Sequence, residues 1–358
     1  MKADGLLLFL VGLVSAVSSA QDIKPLDATR AIIQAFDNHS IVMFGEVHAN
    51  KQEYEFLRTL VSSPQFADKV DDIVVEYGNS LYQKAVDRYI AGEDVPIVEV
   101  QKAWRNTMAL GPVSPVYPSL YQAIRQVNRQ RLGKHQIRIL LGDPYINWDN
   151  VKSREDVGPY LAHRDEFYAS VVKDEVLAKH RRALLIAGWP HFARPPAGPG
   201  YIEKELREAG AATFVIVFGT NAVGGYNDLD KRFDSWKLPA LMLLKGTWVG
   251  DLPAMPVLSG GSEAAGPNPL KLGDVADALL YLGPRDTLTA VNMPRADLEG
   301  TPYGREIARR FEILLGQSQN ILSAATETPQ FLPGSGGAPP PLPPPPKSIH
   351  DPLPPRPN

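Results

Sequence analysis

The stretch Ile41-Val42-Met43-Phe44-Gly45-Glu46-Val47-His48 decides the fold. Four apolar residues without alternation are what a strand buried on both faces requires, and they give way abruptly to a glycine, a carboxylate and an imidazole. Similar runs recur along the chain: Ile73 to Val75, Ile137 to Leu141, Ala183 to Ala187, Phe214 to Phe218, Leu241 to Leu244 and Ala278 to Leu282. Between the early ones lie segments with apolar residues at helical spacing. Examples are Tyr54, Leu57 and Val61; Leu81, Ala85 and Tyr89; Leu120, Ile124 and Val127; Phe167, Val171, Val172 and Leu177. Strand and helix in alternation, with continuous apolar strands, predicts an α/β fold: a mostly parallel sheet with helices on both faces. A helix is expected from Tyr160 to His180, and an irregular loop of 20 residues from Gly219 to Leu238.

In such sheets ligands bind beyond the carboxyl ends of the strands, which makes that edge the expected active site. After the first run comes Gly45-Glu46-Val47-His48, after the second Glu76-Tyr77-Gly78-Asn79-Ser80, after the third Gly142-Asp143-Pro144, and after the fourth Gly188-Trp189-Pro190-His191. Glu46 and His48 are two residues apart, so in extended chain both side chains leave the same face and can share one water or one metal. A neutral imidazole serves as general base or metal ligand, and a neighbouring carboxylate orients it. Glu46, His48, Glu76 and His191 are therefore the candidate catalytic residues, and equally the candidate ligands of a divalent metal, Zn or Mn. Asp143 and Arg164 are candidates for binding substrate, Arg164 through paired hydrogen bonds to an oxyanion or carboxylate. The plainer alternatives are a turn or helix cap at Asp143 and a surface charge network among Arg164, Asp165, Glu166 and Lys173. His39, His135 and His180 read as solvated. The segments Ala193 to Gly200 and Gly219 to Leu238 are lid candidates, with Tyr226, Phe233 and Trp236 as apolar walls.

Composition narrows the chemistry. The 358 residues carry 37 Lys and Arg against 40 Asp and Glu, a net charge of −3, leaving no basic excess for nucleic acid or an anionic membrane surface. Cysteine is absent, which removes disulfides, thiolate ligands and a cysteine nucleophile. No serine lies in a Gly-x-Ser-x-Gly setting, so direct activation of water is the simplest hydrolytic route.

The ends are distinct from the body. Lys2, the apolar run Leu6 to Val17 and the small residues Ser18, Ser19 and Ala20 predict a cleaved signal peptide over 1–20, hence a secreted or periplasmic protein with no membrane span after cleavage. Residues 326–358 form a Pro-rich tail, with 12 of the 33 prolines between Pro333 and Asn358, expected to be extended and disordered. The span 21–325 is expected to be a single α/β domain.

The motifs Gly45-Glu46-Val47-His48, Glu76 and Gly188-Trp189-Pro190-His191, in that order, resemble the superfamily of ChaN-like haem-uptake proteins, Tiki/TraB proteases and erythromycin esterases. The resemblance covers Ser40 to His191, with weaker support from Arg164-Asp165 and Asp277 to Pro284. It implies an α/β fold with a His and Glu pocket at the strand ends. It also implies three uses for that pocket: water activation by the first-motif His and Glu in the esterases, a metal in the Tiki proteases, and haem in the ChaN-like proteins. The expected function is hydrolysis of an ester or amide in a small-molecule or peptide substrate, with a divalent metal or haem as the cofactor that the pocket could hold. The alternatives are a haem or small-ligand binding protein without turnover, and a surface protein whose tail contacts a partner.

Overall fold

The structure, a computed structural model, describes residues 23–109, 111, 113–194, 201–219, 231–259, 270–316 and 341–345. The signal-peptide segment, Tyr226 and most of both lid candidates lie outside the described residues.

Eight strands form one sheet: β1 (Leu26–Asp27), β2 (Ile41–Glu46), β3 (Asp72–Asn79), β4 (Arg138–Asp143), β5 (Ala183–Gly188), β6 (Thr213–Phe218), β7 (Ala240–Leu243) and β8 (Ala278–Tyr281). Their order is β1-β7-β8-β6-β2-β5-β3-β4. From β8 to β4 every neighbouring pair is parallel, while β7 pairs antiparallel with both β8 and β1. The predicted α/β class and mostly parallel sheet are thus present. The two-residue β1 was not anticipated.

Alternation along the strands divides the core in two. Val42, Phe44, Val75, Leu184, Ile186 and Ile216 face one layer, and Ile41, Met43, Val74, Leu185, Val215 and Val217 face the other. Both sets are buried because helices cover both sides, which is why these strands carry apolar residues without interruption. On the first side lie α1 (Ala28–Ala35), α2 (Lys51–Ser62), α3 (Pro64–Lys69), α4 (Gln83–Ile90), α5 (Ile97–Arg105) and α6 (Val116–Gln130). Beyond β4 come α7 (Arg154–Ala162) and α8 (Arg164–Glu175), and after β5 come α9 (Trp189–Phe192) and α10 (Tyr201–Glu208). The helix Pro302–Leu315 closes a smaller cluster in which Leu314 packs with Ile146, Trp148 and Val157.

Three expectations are corrected. The helix expected from Tyr160 to His180 is two helices, broken at His163, and it ends at Glu175 before a short 3-10 turn. The surface network of Arg164, Asp165, Glu166 and Lys173 does not form: Arg164 turns inward, Glu166 pairs with His163, and Lys173 with Glu205. Phe233 and Trp236 are not free lid walls but pack on Tyr281. His39 and His135 are also engaged, at Ala35 O and Asp71 respectively.

Candidate functional site

The carboxyl ends of β2, β5 and β3 are adjacent, because β5 inserts between the other two. Register carries the residues to one level, with Glu46 opposite Gly188. β3 runs on through Asn79, and its pairing with β4 shifts between Val75 and Asn79, the irregularity where Glu76 sits.

His48 Nδ1 lies 2.8 Å from Glu46 Oε1. Tyr54 Oη donates to Glu46 Oε2 at 2.5 Å, and Tyr117 Oη donates to Oε1 at 3.4 Å. The chain bends sharply after His48, since Ala49 takes the left-handed φ of 63° and its N–H donates to Tyr117 Oη. Asn50 then caps α2 by accepting from Glu53 N, which brings Tyr54 under Glu46. Glu53 is fully buried and accepts from Val47 N; burial and the nearby Glu46 hold its carboxyl well above the usual range.

Glu76 is the hub of the second half. It accepts from Gly188 N at 2.7 Å through Oε2, while Oε1 faces Arg164 Nη1 at 3.0 Å and His191 Nε2 at 3.6 Å. His191 Nδ1 lies 2.7 Å from Asp165 Oδ1. Arg164 Nε donates to Asp143 Oδ1 at 2.6 Å, and Met108 N donates to Asp143 Oδ2 at 2.5 Å. Arg164 side chain is only 9% exposed, and among the described residues its Nη2 has no hydrogen-bond partner.

Gly188 is where the halves meet. A Cβ there would stand 3.0 Å from His48 Cε1, 3.2 Å from His48 Nε2 and 3.6 Å from His191 Cδ2. A Cβ would crowd the His48 ring and merely touch His191, so glycine here lets His48 lie against the end of β5. At Gly45 a Cβ would come within 2.9 Å of Trp189 Cα, so this glycine lets α9 lie close against β2 and brings His191 in.

The charges are strongly coupled. Burial alone would lower the His48 pKa, but the carboxylates of Glu76 and Glu46 outweigh it and hold the imidazole above its ordinary value. Burial likewise opposes the charge on His191, yet Glu76 and Asp165 raise its pKa to about 10, making it an imidazolium at neutral pH. Burial would raise Glu76, but Arg164, His191 and His48 hold it well below the usual carboxylate range.

All six residues singled out in the sequence thus belong to one contiguous network. Sequence reading missed Glu53, Tyr54, Tyr77 and Tyr117, and gave Asp165 a lesser part. Tyr54 stands at helical spacing with Leu57 and Val61 and so reads as core; its polar tip becomes visible only with its position under Glu46.

A divalent metal fits three of the four candidate ligands. Donor atoms of Glu46, His48 and Glu76 lie within 4.8 Å of one another, a carboxylate-imidazole-carboxylate set suited to Zn or Mn. His191 stands outside this trio, facing Glu76 and Asp165. Two cavities reach Glu76, one against Tyr54, Tyr77 and Tyr117 and the other against Arg164, Asp165 and His191; each is about 10 Å³, room for about one water. Among the described residues no helix is long and apolar enough to cross a membrane.

No family model matches the chain, and no curated protein does. Among solved structures the chain is similar to the type III effector HopBA1, at 14% identity over 57% of this chain and 90% of that one, with a TM-score of 0.37. It is also similar to a protein from Bacillus cereus, at 12% identity over 74% and 95% of the two chains and a TM-score of 0.45. A third is ChaN of Campylobacter jejuni, described with cofacial haem binding, at 12% identity over 57% and 93% and a TM-score of 0.34. The likeness is distant, and the roles assigned below rest on the side chains.

Proposed function

We propose that this protein is a hydrolase that activates water with the His48 and Glu46 pair for attack on an ester or amide carbonyl. The observation that carries this reading is the 2.8 Å contact of His48 Nδ1 with Glu46 Oε1, which orients the imidazole beside Gly188 at the end of β5. In its neutral form His48 keeps a proton on Nδ1 toward Glu46, and Nε2 takes a proton from water as the oxygen adds to the carbonyl carbon. Glu46 stabilises the resulting imidazolium, held in turn by Tyr54. Arg164, through its unpaired Nη2, and His191 supply positive charge to the developing oxyanion, with Asp143 and Asp165 fixing their orientation. The proton then passes from His48 to the departing alkoxide or amine. Glu46, His48 and Glu76 would hold a divalent metal, which when bound would lower the pKa of water.

A second reading, haem or small-ligand binding without turnover, is supported by one observation. The His48 and Tyr77 rings meet edge-on with centroids 5.3 Å apart, side chains of the types that ligate haem iron. The one-water cavities at Glu76 weigh against it.

The discriminating experiment screens ester and amide substrates with and without Zn or Mn, using the parent and His48→Ala, and titrates both with haem. Hydrolysis lost per folded molecule in the variant supports the enzyme. A parent without turnover that binds haem, with binding lost in the variant, establishes the carrier. We also place the mature protein outside the cytoplasm on the strength of the 1–20 pattern; mass analysis of the exported chain should find Gln21 or a close neighbour at its start.

A further inference from the structure

The tail was expected to be extended and disordered, and at one point it touches the body. Tyr145 Oη donates to Pro343 O at 2.5 Å, and Leu342, the one residue of 341–345 that is not proline, is half-buried. Tyr145 stands two residues beyond Asp143 and is flanked edge-on by Tyr160 of α7 at 6.0 Å and Phe167 of α8 at 5.4 Å. Three rings, one from the loop after β4 and one from each of α7 and α8, with one hydroxyl directed at a carbonyl, are what an extended proline-rich segment needs. Prolines keep φ near −65° and leave their carbonyls free of internal hydrogen bonds, so such a segment meets an aromatic groove with little ordering cost.

We propose that Tyr145, Tyr160 and Phe167 form a polyproline-recognition groove whose resident ligand is this chain's own Pro341–Pro345. The geometry of the connection supports occupation in cis. The helix Pro302–Leu315 is anchored beside the groove, since Arg309 Nη2 donates to Trp148 O and Arg310 lies over the Trp148 ring, three residues from Tyr145. Only the 24 residues 317–340 separate its end from Pro341, a tether that reaches up to about 80 Å fully extended and holds the segment at an effective concentration on the order of millimolar.

The absence of cysteine allows a clean test on the full chain. A nitroxide on Lys347→Cys, just beyond the seated segment, reports its mobility by electron paramagnetic resonance. The parent should show a slow-motion component. Leu342→Asp, a change in the tail that leaves the body untouched, should abolish it, and Tyr145→Phe should raise the free-to-bound ratio roughly 2- to 10-fold, the worth of one hydrogen bond. A label that tumbles freely in the parent, or a slow component unchanged in Leu342→Asp, overturns the proposal. A slow component that vanishes on dilution would show the groove filled by a second copy and overturn occupation in cis.

Discussion

Tyr54 Oη lies 2.5 Å from Glu46 Oε2, so the carboxylate that faces His48 on one side is held on the other by a phenol from the first helix of the crossover. Tyr54→Phe removes only the hydroxyl and leaves a buried carboxylate oxygen short of a donor. The expected cost is about 1 to 3 kcal/mol in denaturant unfolding, together with slower turnover as Glu46 loses its orientation. A variant with parent stability and parent kcat would show that Tyr54 does not position Glu46.

His48 is nearly buried, with 11% of its side chain exposed. His48→Ala should therefore abolish hydrolysis and also cost about 1 to 3 kcal/mol, through the uncompensated Glu46. The separating quantity is activity per folded molecule, measured beside the unfolding midpoint. If it stays constant while the midpoint falls, His48 is structural.

Arg164 compensates two buried carboxylates. Arg164→Met should cost about 3 to 5 kcal/mol, because Asp143 loses its cation and Glu76 keeps only the histidines beside it. Urea unfolding of the variant measures it, and a loss below about 1 kcal/mol would mean that water already screens the pair.

Burial pushes the Asp143 carboxyl up to about 6, against the pull of Arg164 and the Met108 N–H. Between about pH 4 and 6 the unfolded chain loses this proton while the folded chain keeps it. The folded state then binds more protons, so this group makes stability fall as pH rises through that window and level off above it. Asp143→Asn should remove that component. Unfolding free energies of parent and variant that keep a constant difference from pH 4 to 7 would contradict the assignment.

The central strands were legible because burial on both faces leaves nothing but apolar residues, a pattern readable without knowing the neighbours. Glu46, His48, Glu76 and His191 were legible for a related reason: polar residues placed directly after such runs must emerge at one edge. The tyrosines under Glu46 were not, because helical spacing reports which face is buried and not what the far end of a ring touches. The inward turn of Arg164 depends on the break at His163, and its sequence reads equally well as an exposed helical face. β1 escaped because two residues carry no periodicity.

That short strand has a consequence for solubility. β1 covers the outer edge of β7, pairing Leu26 with Leu241 and Asp27 with Ala240. Without it, the backbone groups of Ala240–Leu243 would be a template for another chain, beside the half-exposed Leu243. With it, Ala240 and Leu241 are paired, and this side of the sheet ends in a strand of two residues whose Asp27 side chain is already engaged in capping α1. Two residues near the start of the described chain thus guard the first half of β7 against edge-to-edge pairing with another chain.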